Sequence, residues 1–232
     1  MNVRRPRPAG PQRGITGLET AIILIAFVIV ASVLAFSVLQ TGIFSSERGK
    51  EAVHAGLTAV RSNLKPVGSL IAFRGKVGST STMFKVSLVL ENPKDGEPLD
   101  LTPPFTANGS GTDPDSSSTS NVVVFSYTDQ YQHLPKVPWT MSMLGSADAG
   151  NVLDPGEQAE IQVWLLDRAT AAAQSASNSA GYMSASAGGI TSSGTIVTEN
   201  TNFTIEMKTP KGATIVWQRT VPSAFNDVMS LK

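Results

Sequence analysis

The chain of 232 residues is 41% hydrophobic, and its eighteen Lys plus Arg balance eighteen Asp plus Glu. This size accommodates one long element and one domain of ordinary dimensions, without a separate catalytic domain, and the body of the chain lacks the clustered positive charge of a nucleic-acid surface. There is no cysteine, which excludes disulfides, thiolate catalysis and Cys-type zinc sites and leaves stability to packing.

The first fourteen residues, MNVRRPRPAGPQRG, carry four arginines and no acid; beyond them fourteen basic residues face eighteen acidic ones, a net charge of −4. Ala21 to Leu39 then gives nineteen consecutive uncharged residues. As an α-helix that run is about 28 Å long, close to the roughly 30 Å hydrocarbon thickness of a bilayer. Its apolar side chains, Ile22, Ile25, Phe27, Ile29, Leu34 and Phe36 among them, surround the helix, so it needs lipid or other helices around it. Glu19 is the one carboxylate at the edge of the run. Arginines ahead of such a span hold that end in the cytoplasm and place the remainder outside. Ala35-Phe36-Ser37 offers a rival secretory cleavage site, but the apolar region exceeds the usual 7 to 15 residues and begins beside Glu19.

From Gln40 to Lys65 the helical pattern continues in amphipathic form, with Ile43, Phe44, Val53, Leu57, Val60 and Leu64 among Glu47, Arg48, Lys50, Glu51 and Arg61. Pro66 is the expected break, because proline lacks an amide donor and clashes with the preceding turn. Gly42, Gly49 and Gly56 recur every seven residues. They fit either close approach of neighbouring helices or a flexible section between membrane and domain. His54, on the same half, reads as an ordinary surface or packing histidine rather than a switch.

After Pro66 short alternating runs are separated by turn formers. Phe84–Leu90, Ile161–Leu165 and Phe203–Met207 alternate as half-buried strands, and Gly68–Phe73, Val122–Tyr127, Val137–Met143, Thr195–Thr198 and Ala213–Arg219 are further candidates. About eight such strands imply an antiparallel β-sandwich with immunoglobulin-like layering. The fold class is therefore α+β: residues 1–14 as a basic leader, 15–65 as a long hydrophobic helix, 66–232 as the β-sandwich. Residues 92–120 and 168–194, rich in turn formers or in Ala, Ser and Gly, read as exposed excursions that bury little, with a short helix at 169–175.

Sequons occur at Asn108-Gly-Ser and Asn202-Phe-Thr, both acceptors for a glycan on an extracellular domain, with Asn202 hindered by its strand. Asp148, Asn151, Asp154 and Glu157 concentrate oxygen donors suited to calcium. Their spacing is not that of an EF-hand, and Asp-Pro-Gly is also what a plain turn requires. No P-loop, GxSxG, GxGxxG or HExxH is present, so the chain is expected to be structural and to need no cofactor other than calcium.

The leader ending in Arg13-Gly14, followed by Ile15-Thr16-Gly17-Leu18-Glu19-Thr20-Ala21-Ile22 and the apolar run, resembles the start of archaeal flagellins (archaellins), which carry a class III, prepilin-like signal. Residues 13 to 42 carry the resemblance; beyond them it is one of architecture. It implies cleavage between Gly14 and Ile15 by a prepilin-type signal peptidase, so that Glu19 becomes mature residue five. It also implies insertion of the precursor in the cytoplasmic membrane, handling by the archaellum assembly machinery, and polymerisation into an extracellular swimming filament with itself or with a second archaellin. In the related pilins glutamate at that place is proposed to meet the new N-terminal amine of a neighbour. The alternatives are an adhesive type IV pilin, which shares the leader and helix, and a single-span anchored surface protein.

Overall fold

The computed structural model describes residues 13–109, 112–117, 120–145, 150–168 and 179–231. The chain divides into two compact units, Met1–Ala55 and Gly56–Lys232. One helix, α1, runs from Arg13 to Arg61 over 49 residues, about 74 Å at 1.5 Å per residue. Two of its hydroxyls bond back to the preceding turn: Ser32 Oγ donates to Val28 O at 2.7 Å and Thr41 Oγ1 to Ser37 O at 2.9 Å. A polar side chain bonded to the preceding turn asks nothing of an apolar environment.

Within the second unit the helix ends earlier than the expected Lys65, and Pro66 does not end it. Ser62 N–H bonds Thr58 O at 3.0 Å, Arg61 O accepts Glu97 N–H at 3.2 Å, and Asn63 Oδ1 accepts Ala213 N–H at 2.9 Å. The Arg61 carbonyl that a further helical turn would use is thus taken by the Glu97 amide. Pro66 instead pairs with Leu90 as the second residue of a strand.

Nine strands build the two main sheets. They are β1 Lys65–Val77, β2 Thr80–Glu91, β3 Val124–Asp129, β4 His133–Leu134 and β5 Trp139–Leu144. The remainder are β6 Gln158–Trp164, β7 Asn202–Lys208, β8 Ile215–Thr220 and β9 Val228–Leu231. One sheet has the order β9-β1-β2-β6-β5, the other β8-β7-β3-β4, and every pairing within them is antiparallel. The chain enters β2 from β1 through Gly78-Ser79, where Gly78 takes φ +62°, a conformation that side chains disfavour and tight hairpins need.

Alternation along the strands sends Val86, Leu88, Leu90, Ile161 and Val163 from one sheet, and Phe125, Tyr127, Phe203, Ile205 and Met207 from the other, into a single core. Phe125 and Trp139 rings meet at 5.4 Å, and Tyr127 stacks on Phe203 at 5.8 Å. The architecture is the expected one: a long apolar helix followed by antiparallel sheets.

Three local expectations fail. Thr195–Thr198 is not a strand; Ser193–Thr195 forms a 3-10 turn, and the buried Val197 is pinned by its carbonyl, which accepts Thr82 Oγ1 at 2.8 Å. Val228–Leu231, which pairs with β1, was not foreseen, since four residues carry too little periodicity. The two excursions do bury side chains: Asn92, Leu101 and Asp113 in the first, Ala180, Met183 and Ile190 in the second. Residues 169–175, where a short helix was expected, lie outside the described residues.

Candidate functional site: the uncovered apolar helix

The apolar residues singled out on α1 between Ile22 and Phe36 are exposed. Ile22, Ile25, Phe27, Ile29, Leu34 and Phe36 are between 58% and 71% exposed. Helical spacing puts Ile22, Ile25, Ile29 and Phe36 on one side and Phe27 and Leu34 on the other, so no single docking face would cover them. Each such side chain contributes about 1.5–3 kcal/mol when removed from water. An uncovered surface of this extent marks an interaction site. Among the described residues, Gly17–Thr58 is long and apolar enough to cross a membrane. Gly14 and Ile15 lie in the helix's first turn, Glu19 is exposed, and residues 1–12 lie outside the described residues.

The lower half of α1 is equally open. Ile43, Phe44, Val53, Leu57 and Val60 are exposed, whereas Leu64, beyond the helix end, joins the domain core. Among the described residues nothing lies within 4 Å of where a side chain on Gly42, Gly49 or Gly56 would begin.

The two sequons are placed differently. Asn108 is exposed in a turn; its N–H donates to Asp113 Oδ1 at 3.1 Å and its amide to Asp115 Oδ2 at 3.3 Å, with Gly109 at φ +79° beside it. Ser110 of that triplet lies outside the described residues. Asn202 is exposed at the first position of β7, accepts Thr220 Oγ1, and precedes the buried Phe203.

Of the four oxygen-bearing residues considered for calcium, Asp148 lies outside the described residues. Glu157 Oε2 accepts Asp154 N–H at 3.0 Å while Glu157 N–H returns to Asp154 O at 3.1 Å. Gly156, at φ +88°, donates to Asn92 O at 2.8 Å, and Asn151 O accepts Leu101 N–H at 2.7 Å. The reciprocal bonds between Asp154 and Glu157 are those of a self-capped turn, and the other two tie it to the segments at Asn92 and Leu101. Among the described residues no three metal-ligating side chains gather.

Sequence reasoning missed a buried polar layer on the other face of the five-stranded sheet. Lys85, Ser87 and Thr140 are buried there, with Trp164 Nε1 donating to Thr140 Oγ1 at 3.1 Å. Alternation made Lys85, Ser87, Glu160 and Gln162 look solvent-facing. Burial, with Arg168 second, lowers the Lys85 ammonium pKa below its ordinary value against the opposing pull of Glu160 and Asp113. Nearby, Asp113 pairs with Arg168, and Asp167 is pushed up to about 6 by burial and then by Asp115.

A family model described as archaeal-type flagellin matches residues 14–219. A protein of Archaeoglobus fulgidus called probable flagellin 1 is 31% identical over 227 residues, covering 95% of each chain. Probable flagellin 1 of Aeropyrum pernix is 46% identical over 78 residues, 33% of this chain and 38% of that one. Among solved structures, the archaeal flagellum of Methanospirillum hungatei superposes with a TM-score of 0.56 at 21% identity, covering 93% of this chain and 98% of that one. This last likeness is one of fold.

Proposed function

Since this chain belongs to the archaeal-type flagellin family and is a structural subunit of the archaeal flagellum, we propose that α1 is the element through which it polymerises. The observation that carries this reading is the exposure of apolar side chains on both sides of that helix.

In this reading residues 1–14 are a leader removed between Gly14 and Ile15 by a prepilin-type signal peptidase, α1 from Ile15 to Arg61 is the assembly segment, and the strands that begin at Lys65 form the outer domain. The precursor sits in the cytoplasmic membrane with the domain outside, as the leader arginines favour. On assembly the apolar helix passes from lipid to a bundle of its own kind. Both surroundings are apolar, so the net gain comes from close packing and interhelical contacts rather than from expelling water. The seven-residue glycine spacing lets neighbouring backbones approach. A head-to-tail contact that does not close produces a helical polymer.

Glu19 sets the register. A carboxylate in an apolar bundle is costly without a partner, and the amine freed at Ile15 of a neighbouring subunit supplies one. The chain's role is structural, with no enzymatic turnover. Glu19→Gln in the native cell tests this: the subunit is processed normally but filaments are few or absent. Normal filament number and length in that variant would overturn the register role. Deletion of the gene separates motility from adhesion, abolishing swimming if the reading holds and only attachment if the subunit is an adhesive pilin.

A further inference from the structure

The polar layer of the five-stranded sheet holds a buried amine against a carboxamide. Opposed residues of an antiparallel pair share a face, and the register sets Lys85 against Trp164 and Ser87 against Gln162, with Glu160 two residues before Gln162 on the same side. Lys85 is 5% exposed. Its Nζ lies 4.7 Å from the ring centre of Phe73 and 4.8 Å from that of Trp164. Rings attract a cation through their faces but accept no conventional hydrogen bond. An ammonium has three N–H donors; among the described residues its one hydrogen-bond acceptor is Gln162 Oε1, at 3.0 Å. Burial and Arg168 favour the uncharged amine, which is the nucleophilic form.

The other end of the carboxamide is also held. Gln162 Nε2 donates to Glu160 Oε1 at 3.3 Å, and Ser87 Oγ donates to the same oxygen at 2.6 Å. The amide carbon lies one C=O bond, about 1.2 Å, from the oxygen that Lys85 touches. A nucleophile, a carbonyl and a carboxylate able to carry a proton are thus neighbours on one face of the sheet, and an intramolecular reaction gains from such proximity.

We propose that Lys85 and Gln162 join in an intramolecular isopeptide bond that links β2 to β6, with Glu160 carrying the proton. The lone pair of Nζ forms a bond to Cδ of Gln162, and the bond from Cδ to Nε2 breaks with its electrons remaining on nitrogen. One proton leaves Nζ, and one reaches the departing nitrogen through the Glu160 carboxyl, releasing ammonia. No atom changes oxidation state. A cavity of about 250 Å³, lined by Gln162 with Phe105, Thr140 and Ser142, opens beside the carboxamide as an exit. The product would tie neighbouring strands covalently in a chain without cysteine, limiting the freedom of the unfolded state as other cross-links do. This inference rests on the β-domain alone and does not depend on how the helix assembles.

The test is peptide mass spectrometry of the full chain, produced recombinantly, purified in detergent and digested. The expected result is one branched peptide joining the Lys85 and Gln162 segments, lighter by one ammonia than the two linear peptides together. The branch is decisive, since ammonia lost through an asparagine imide leaves the peptides linear. Lys85→Arg and Gln162→Leu remove it, and Glu160→Gln slows its formation at least tenfold. Only linear peptides from the unsubstituted, folded chain would overturn the proposal. Formation at the parent rate in Glu160→Gln would overturn the role given to Glu160.

Discussion

Asp113 and Arg168 hold each other through side chain and backbone alike. The Arg168 guanidinium bonds the buried Asp113 carboxylate, Arg168 N–H donates to Asp113 O at 2.8 Å, and Asp113 N–H donates back to Arg168 O at 3.4 Å. Asp113 also accepts the N–H groups of Asn108 and Gly109. One carboxylate therefore ties the turn that carries the first sequon to the end of the segment leading out of β6.

Removing one partner of a buried pair leaves the other charge stranded, at a cost of about 3–5 kcal/mol. Arg168→Met is expected to lower thermal stability by that order, and Asp113→Asn in the same chain to restore part of it. Melting curves of the three proteins check this. Equal melting temperatures for Arg168→Met and the parent would show that the pair contributes nothing.

Asp167 makes stability depend on pH. Burial first, and the Asp115 carboxylate second, push its carboxyl up to about 6 from an ordinary 3.8, so the folded chain holds that proton more tightly than the unfolded one. The stabilisation is complete below about pH 3.8 and is lost as pH rises through about 6. Asp167 is only partly buried, so the effect is modest. Asp167→Asn, which does not ionise, gains melting temperature relative to the parent at pH 7 and not at pH 4. Parallel profiles for the two proteins across that range would exclude it.

Asn92 joins two loops. Its amide donates to Glu97 O at 3.0 Å and to Leu153 O at 2.9 Å. Asn92→Ala leaves both carbonyls without that donor, a loss of about 1–3 kcal/mol for a buried unsatisfied group. Chemical denaturation should show a lower midpoint with an unchanged slope.

Gly212 is close to the helix end. A methyl group there would lie 2.4 Å from the backbone oxygen of Ser62, which backbone cannot readily yield to. Gly212→Ala should therefore cost about 1–3 kcal/mol through overpacking and loosen the bonds from Ala213 to Asn63 and from Glu97 to Arg61. Hydrogen exchange checks it: faster exchange at the Ala213 and Glu97 amides is expected, and unchanged rates at both would refute the account of how α1 stops.

The helix and the long strands were legible because their signals are local. Nineteen uncharged residues have few alternatives, and the alternation in Phe84–Leu90 and Phe203–Met207 survives in the strands that contain them. What was illegible depends on partners distant in sequence. Pro66 looked like a helix breaker because the contacts of Ser62, Asn63 and Arg61 with residues 97 and 213 were invisible. Lys85 and Gln162 looked exposed because alternation gives a strand two faces without saying that loops cover both. The Asp148–Glu157 stretch spells either a cation loop or a turn, because both draw on the same oxygen-bearing residues.

The most direct measurement is N-terminal peptide mass spectrometry of filaments sheared from cells, alongside the membrane fraction. The account predicts that sheared filaments contain a chain beginning at Ile15, with the apolar helix retained. A chain beginning near Val38, or one found only uncleaved in membranes, would contradict assembly through α1.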